Sequence, residues 1–191
     1  IVSETQAFCD LLRKVYADFG FKNILYKLST RPPQRVGSDE IWDKAEHALE
    51  QALNSKGLPW DLQPGEGAFY GPKIDVQIWS VIGREFSLAT NQVDFAQPAR
   101  FDLKFTNKDG QEEMPLCIHR APLSTHERMV GFLLEHYAGN FPVWLSPEQA
   151  RVISITDNQN EYVENIAKQL RENGIRAHAD LSAQRMNAKI R

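Results

Sequence analysis

The sequence of 191 residues has only two cysteines, Cys9 and Cys117, which are far apart and form no CxxC pattern. This scarcity excludes a disulfide framework and a self-contained zinc ribbon, and it fits a reducing compartment. No apolar run approaches the roughly 20 residues that cross a bilayer. The N-terminal residues also lack the basic-then-apolar order of a signal peptide. We therefore expect a soluble, cytoplasmic protein without a membrane partner.

The sequence also lacks an excess of basic charge. Its formal net charge is -3 and its isoelectric point is about 6.0, which argues against a protein coated with basic residues for nucleic acid. A composition with 42% hydrophobic and 25% charged residues is that of a globular chain with a substantial core. The chain does not begin with Met and ends inside a helical pattern, so we expect a fragment of a longer protein.

Apolar residues at helical spacing predict two helices near the start of the chain. One should run over residues 3–20, with Ser3 as its N-cap, and the other over residues 38–57, with acidic residues in its first turn. Residues 21–30 alternate in polarity and predict a strand between the two helices. Residues 58–73 are rich in glycine, proline and aromatic residues, which indicates a loop.

Alternating runs in the middle of the chain predict β-hairpins. Residues 73–95 give two strands joined around Gly83, and residues 101–119 repeat this plan around an Asp109–Gly110 turn. Successive hairpins predict an antiparallel sheet with helices packed against one side, which is an α+β fold.

Residues 119–139 join a strand that ends at His119 to a helix that Ser124 or Thr125 can cap. The helix should bury one apolar stripe, formed by Met129, Phe132, Leu133, His136 and Tyr137. On another face Arg128 stands beside Gly131, where a flat or anionic ligand could approach the backbone. The alternative interpretation is an ordinary core helix with solvated charges.

The last part of the chain has a different pattern. Residues 150–156 and 175–181 predict strands, and residues 160–174 predict an amphipathic helix between them. This order is typical of a βαβ unit with a parallel sheet. We therefore predict two domains, residues 1–146 and residues 147–191.

Polar side chains in two stretches indicate a ligand pocket. Residues 65–73 form a Gly-rich loop that matches neither GxGxxG nor the P-loop pattern, so a phosphate-binding loop is not supported. The candidate ligand-binding side chains of these stretches are Glu66, Tyr70 and Lys73 in the loop and Thr90, Gln92 and Asp94 on one face of a strand. His119 alone does not predict a metal site, because the spacing of the residues around it matches no metal-ligand motif.

Four segments of the chain resemble threonyl-tRNA synthetase, a family of class II aminoacyl-tRNA synthetases. They are STRPPQRVGSDEIWDKAEHAL, GEGAFYGPKIDV, ATNQVDF and HRAPLSTHERMVGFLLEHYAGNFPVWL. Their order and spacing match over essentially the whole chain. The resemblance implies the second half of a class II catalytic core, with motif 3 at residues 119–139, followed by the start of an anticodon-binding domain.

The resemblance also implies the reaction. A threonine–tRNA ligase activates threonine with MgATP to threonyl-adenylate and transfers the threonyl group to tRNA(Thr), and the enzyme is expected to be a homodimer. One alternative is another class IIa synthetase of the prolyl type, which does not use zinc to read its amino acid. A second alternative is a non-catalytic synthetase-like paralogue that binds RNA.

Roles for individual residues follow from the resemblance. Arg128 and Lys73 are expected to be catalytic, and Arg128 stacks on adenine or holds the γ-phosphate. The expected substrate-binding residues are Tyr70, Gln92, Thr90 and Glu66, and Gln92 is also expected to contact ATP. His119 matches the third ligand of one zinc ion per subunit, which would bind the amino and hydroxyl groups of threonine and so reject valine.

The resemblance carries two qualifications. The family's other zinc ligands, its motif 1 and its motif 2 arginine would lie upstream of Ile1, so we expect this chain alone to be inactive. Ser124 and Ala89 stand where many family members have glycine, and either could crowd the adenine side or merely reflect sequence drift. We further expect His119 and Arg128 to face one common cleft.

Overall fold

The computed structural model describes residues 1–190, which form two compact units. One unit covers Ile1–His136 and the other begins at Tyr137. No helix within the described residues is both long enough and apolar enough to cross a membrane.

The first 137 residues contain four helices and seven strands among the described elements. In chain order they are α1 (Val2–Asp18), β1 (Ile24–Ser29), α2 (Asp39–Ser55), β2 (Trp60–Gln63), β3 (Lys73–Trp79), β4 (Glu85–Asp94), α3 (Gln97–Arg100), β5 (Phe105–Thr106), β6 (Glu112–Glu113), β7 (Cys117–Ala121) and α4 (His126–Tyr137). The predicted hairpins on either side of Gly83 and of the Asp109–Gly110 turn are present as β3–β4 and β5–β6.

Five of these strands form one sheet in the order β2-β1-β3-β4-β7. All neighbouring pairs are antiparallel except β1 and β2, which are parallel. The prediction of an antiparallel sheet with helices is confirmed, but the prediction of a loop over residues 58–73 was wrong for Trp60–Gln63. This edge strand pairs with β1 through long-range contacts. Its residues do alternate in polarity, but the run is only four residues long and lies between Pro59 and Pro64, so it was taken for part of the loop.

One face of the sheet belongs to the hydrophobic core. Its fully buried side chains include Tyr26, Leu28, Ile74, Val76 and Val93. Helix α1 lies against this face, since Asn91 Nδ2 on β4 donates a 3.4 Å hydrogen bond to Thr5 Oγ1. The alternation of side chains along β3 and β4 therefore directs the intervening polar residues to the opposite face.

The helices differ in detail from the prediction. Helix α1 begins at Val2, so Ser3 lies inside its first turn and is not the N-cap. Ser38, the first residue of the range predicted for the second helix, occupies the N-cap position of α2, and the predicted acidic residues lie in its first turn. In α4 the buried stripe is narrower than expected, because Met129, Phe132 and Leu133 are buried whereas His136 and Tyr137 are only partly covered.

The second unit contains the predicted βαβ arrangement. Its elements are β8 (Ala150–Ile153), a short 3-10 turn (Asp157–Gln159), α5 (Asn160–Glu172), β9 (Ala177–Asp180) and α6 (Met186–Lys189). Strands β8 and β9 are parallel, and α5 buries Val163 and Ala167. The Arg176 guanidinium donates 2.8 Å hydrogen bonds to the carbonyls of Trp144 and Ser146, which ties the preceding segment to this unit.

Candidate active site

A row of polar side chains crosses the face of the sheet opposite the core. Lys73 and Asp75 on β3 pair with Gln92 and Thr90 on β4, and Gln92 pairs in turn with His119 on β7. Directly opposed residues on one face of a sheet are close enough for their side chains to interact. The strand register therefore brings together four of the predicted site residues from three separate stretches of sequence.

Hydrogen bonds link Tyr70, Gln92 and Thr90. The Tyr70 hydroxyl donates to Gln92 Oε1, and Gln92 Nε2 donates a 3.1 Å hydrogen bond to Thr90 Oγ1. Burial, together with the nearby carboxylates of Asp94 and Asp75, raises the pKa of Tyr70. The phenol therefore keeps its proton at neutral pH and acts as the donor in this chain of bonds.

His119 is held by a buried carboxylate. Its Nε2 lies 2.8 Å from Asp94 Oδ2, and the Asp94 side chain is 1% exposed whereas that of His119 is 48% exposed. The Tyr70 ring approaches the imidazole edge-on, with 6.1 Å between ring centroids. Within residues 1–190, Nδ1 of His119 has no hydrogen-bond partner.

Two cavities open on this polar face. The first, called here the His119 cavity, has a volume of about 620 Å³, which is in the size range of small-ligand sites. It is lined by Tyr70, Gln92, Asp94, Gln97, Phe101 and His119. The second, called the Arg128 cavity, has a volume of about 320 Å³, and its lining includes Asp75, Ala89, Thr90, Ser124, Thr125 and Arg128.

The structure places His119 and Arg128 in different cavities, whereas the sequence led us to expect one common cleft. Gln92 lines the cavity of His119, and Thr90, two residues earlier on the same strand face, lines the cavity of Arg128. Residues two apart on a strand are about 6.6 Å apart. The two cavities are therefore neighbours, and the hydrogen bond between Gln92 and Thr90 lies at their boundary.

Arg128 is exposed in the first turn of α4. Its Nη1 donates a 3.4 Å hydrogen bond to the Ser87 carbonyl, and its backbone N–H donates a 3.3 Å bond to Thr125 Oγ1, so Thr125 is the capping residue. A Cβ at Gly131, one turn away, would meet nothing within 4 Å. The space beside Gly131 is therefore open, and the Arg128 guanidinium is directed toward Ser87 on β4.

Two other predicted site residues lie outside both cavities. The Lys73 ammonium pairs with Asp75, which itself lines the Arg128 cavity. Glu66 is exposed in the turn after β2 and lines neither of the two cavities. The structure thus brings Lys73 to the edge of the polar row but leaves Glu66 away from it.

The glycines of residues 65–73 are explained by close backbone approach. A Cβ at Gly67 would lie 2.5 Å from the Thr30 carbonyl oxygen, and one at Gly71 would lie 1.8 Å from that of Val93. Only glycine allows such contacts. This tight fit positions Tyr70, the residue before Gly71, over β4.

The departures from the family pattern lie in the Arg128 cavity. Ser124 has a φ of 56°, in the left-handed region that favours glycine, which is the residue that the family resemblance implies here. Ala89 is buried and lines the same cavity.

The described residues supply one candidate ligand for a metal ion, His119. Among them, no group of three or more His, Cys, Asp or Glu side chains could hold a metal ion. His119 nevertheless has the form of a metal-binding imidazole, since a carboxylate holds one ring nitrogen while the other is free at a cavity.

Comparison with known proteins identifies the family. A model described as the tRNA synthetase class II core domain (G, H, P, S and T) matches residues 1–137. The chain belongs to this class II synthetase family. A second model, described as an anticodon binding domain, matches residues 149–191.

The chain is similar to class II synthetases that are named threonine–tRNA ligases. The chain is 52% identical to the threonine–tRNA ligase of Saccharophagus degradans and 53% identical to that of Methylococcus capsulatus, over all of its own length. It spans 30% of the length of each of these relatives. It also matches the solved RNA binding domain of threonyl-tRNA synthetase from Cryptosporidium parvum Iowa II, with 41% identity and a TM-score of 0.89, covering 99% of this chain and 48% of that one. The resemblance to threonyl-tRNA synthetase is confirmed.

Sequence reasoning missed the interaction of Asp94 with His119. The spacing of Thr90, Gln92 and Asp94 placed Asp94 on the polar face, but its partner lies 25 residues away. Asp75 was also missed as a lining residue, although its position two residues after Lys73 on a strand was a signal that it shares that face.

Proposed function

We propose that this chain is part of a threonine–tRNA ligase and supplies residues of its threonine and nucleotide pockets. The proposed reaction joins threonine to ATP, with Mg²⁺ accompanying the nucleotide, and then transfers the threonyl group from the adenylate to tRNA(Thr). The observation that carries this proposal is the pair of adjacent cavities on the polar face of a class II synthetase sheet, one with His119 and the other with Arg128.

The His119 cavity suits a small polar amino acid. Tyr70 and Gln92 offer fixed polar groups, and the exposed imidazole of His119 would hold a zinc ion together with ligands from outside this chain. When bound, zinc would supply a Lewis acid for the amino and hydroxyl groups of threonine. A site that binds a hydroxyl group rejects an isosteric substrate that lacks it, because its polar groups are then left unpaired.

The Arg128 cavity suits the nucleotide. The Arg128 guanidinium is planar, permanently charged and exposed, and can stack on a base or bind phosphate oxygens. Formation of the adenylate requires in-line attack of a carboxylate on the α-phosphate, so positioning and charge neutralisation are the main demands. Lys73, two residues from Asp75 on the same strand face, is a second cation for this purpose.

The remaining parts of the proposal concern domains and partners. We assign residues 1–146 to the catalytic core and residues 147–191 to the anticodon-binding domain, which would contact tRNA(Thr). The family resemblance supports a homodimer in the cytoplasm. It also implies that the 191-residue chain by itself does not activate threonine.

Replacing Arg128 with alanine in the full-length enzyme tests the nucleotide role. We expect threonine-dependent ATP–pyrophosphate exchange to fall about 100-fold, the usual cost of removing one group that stabilises transition-state charge, while tRNA(Thr) binding stays unchanged. Arg13→Ala removes another exposed arginine, in α1, and is the matched control. Unchanged exchange in Arg128→Ala would contradict catalysis at this site and favour an RNA-binding role, the function named for the C. parvum domain.

Zinc removal tests whether threonine is recognised through a zinc ion held by His119. If the proposal is correct, the full-length enzyme contains one zinc per subunit, and a chelator abolishes threonine activation until zinc is restored. Full activation of threonine in metal-free enzyme would contradict the role assigned to His119 and favour a site of the prolyl type.

A further inference from the structure

Asp94 is the most buried charged residue of the polar face, and both of its carboxylate oxygens have hydrogen-bond partners. Its Oδ1 accepts two 2.9 Å bonds from the backbone N–H groups of Ala96 and Gln97. Its Oδ2 lies 2.8 Å from Nε2 of His119. A buried carboxylate is stable only when donors surround it in this way.

The two backbone bonds fix the direction of Oδ2. Ala96 and Gln97 belong to the turn that leads from β4 into α3, so Oδ1 is held by main-chain atoms and the carboxylate cannot rotate freely. The strand register places Asp94 diagonally across from His119, since Gln92 is the residue directly opposite the imidazole. Oδ2 is therefore a fixed acceptor for one particular ring nitrogen.

A fixed acceptor at Nε2 selects one tautomer of the imidazole. In the neutral imidazole the hydrogen must lie on Nε2, because a carboxylate offers only acceptors, and Nδ1 then presents its lone pair. Nδ1 has no hydrogen-bond partner within residues 1–190, and the side chain to which it belongs lines the His119 cavity. The nitrogen that is free to bind a metal ion is thus Nδ1.

We propose that Asp94 is a positioning residue, which sets the orientation and tautomer of His119 so that Nδ1 can coordinate Zn²⁺. This inference rests on the proposed zinc site. It assigns to Asp94 a role distinct from its structural one of holding the turn between β4 and α3, and the two roles use different oxygen atoms.

Asp94→Asn in the full-length enzyme separates these two roles. The asparagine can keep an oxygen toward the N–H groups of Ala96 and Gln97, so the turn is preserved. Its NH₂ group then faces His119 as a donor, which requires Nε2 to accept and moves the ring hydrogen to Nδ1. The variant should fold normally and yet present the wrong nitrogen to the metal ion.

The measured quantity is the affinity for Zn²⁺, obtained by competition with a chromogenic chelator. We expect Asp94→Asn to weaken zinc binding 10- to 100-fold, the usual effect of removing a carboxylate that orients a metal-binding histidine, with little change in melting temperature. The KM for threonine should rise while the KM for ATP does not. Glu46→Gln removes a different partly buried carboxylate, one that binds Arg31 and not His119, and should leave zinc affinity unchanged.

His119→Ala makes the possible failures distinguishable. If His119→Ala loses zinc but Asp94→Asn binds it as tightly as the wild type, the positioning role of Asp94 is overturned and the zinc site stands. If His119→Ala itself retains full zinc affinity, both the zinc role of His119 and the inference about Asp94 are overturned.

Discussion

Replacing Gly71 with alanine should destabilise the unit formed by Ile1–His136 by at least about 3 kcal/mol. The new Cβ would lie 1.8 Å from the Val93 carbonyl oxygen and 2.8 Å from its carbonyl carbon. Real Cβ contacts are essentially never shorter than 3.0 Å, so the two segments must separate by about 1.2 Å. Both obstructing atoms belong to the backbone of β4, which cannot move aside as a flexible side chain would.

The magnitude follows from two costs. Overpacking a tight site costs about 1–3 kcal/mol or more. The separation would also stretch two backbone bonds on either side of Gly71, from Val93 N–H to the Pro72 carbonyl and from Phe95 N–H to the Tyr70 carbonyl. Each such bond contributes about 1 kcal/mol.

Urea unfolding measures the effect. Trp42 is fully buried and contacts Phe95 edge-on at 5.2 Å, so its fluorescence reports on this unit. A loss of 3 kcal/mol lowers the urea midpoint by about 1 M or more. Gly131→Ala is the control: it meets no atom within 4 Å in the interior of α4 and should raise stability by up to about 1 kcal/mol. Equal midpoints for Gly71→Ala and wild type would refute the steric argument.

Two further predictions concern stability. Ser124→Gly should raise the free energy of unfolding by about 1 kcal/mol, because it relieves a left-handed conformation that costs a non-glycine residue about 1–2 kcal/mol; a lower melting temperature in calorimetry would contradict this. Burial raises the pKa of the Cys9 thiol from 9.0 to about 11, so the unfolded chain loses this proton first as the pH rises. The stability contributed by the neutral thiol is complete below pH 9 and falls by about 2 kcal/mol at pH 10.5. Cys9→Ala should flatten this decline in urea unfolding at pH 8 and 10.5, and an unchanged slope would argue against it.

Local patterns were sufficient to predict most of the fold. Periodicity identified α2 and α4, and the turn at Gly83 identified the hairpin of β3 and β4, because each of these depends on residues close in sequence. The edge strand Trp60–Gln63 was missed because it pairs with β1, whose residues are far from it in sequence. In α1, Leu11 belongs to the apolar pattern that predicts the helix, yet it is 51% exposed, because only a narrower face of the helix packs against its neighbours.

In the candidate site, too, some features depend on nearby residues and could be predicted, whereas others depend on tertiary contacts. Its residue types and the strand face of Thr90 and Gln92 could be read from the sequence. The separation of His119 and Arg128 into two cavities could not, because it depends on how β4, β7 and α4 meet in space. The contact of Asp94 with His119 likewise depends on the register between β4 and β7.

The side-chain amide of Gln92 is occupied at both ends, by the Tyr70 hydroxyl and by Thr90 Oγ1. Its oxygen and nitrogen therefore cannot exchange places without breaking both bonds. An engineer who wishes to change which molecule this pocket accepts should begin at Tyr70, since phenylalanine there would release the Gln92 oxygen for a new donor while leaving the nitrogen anchored.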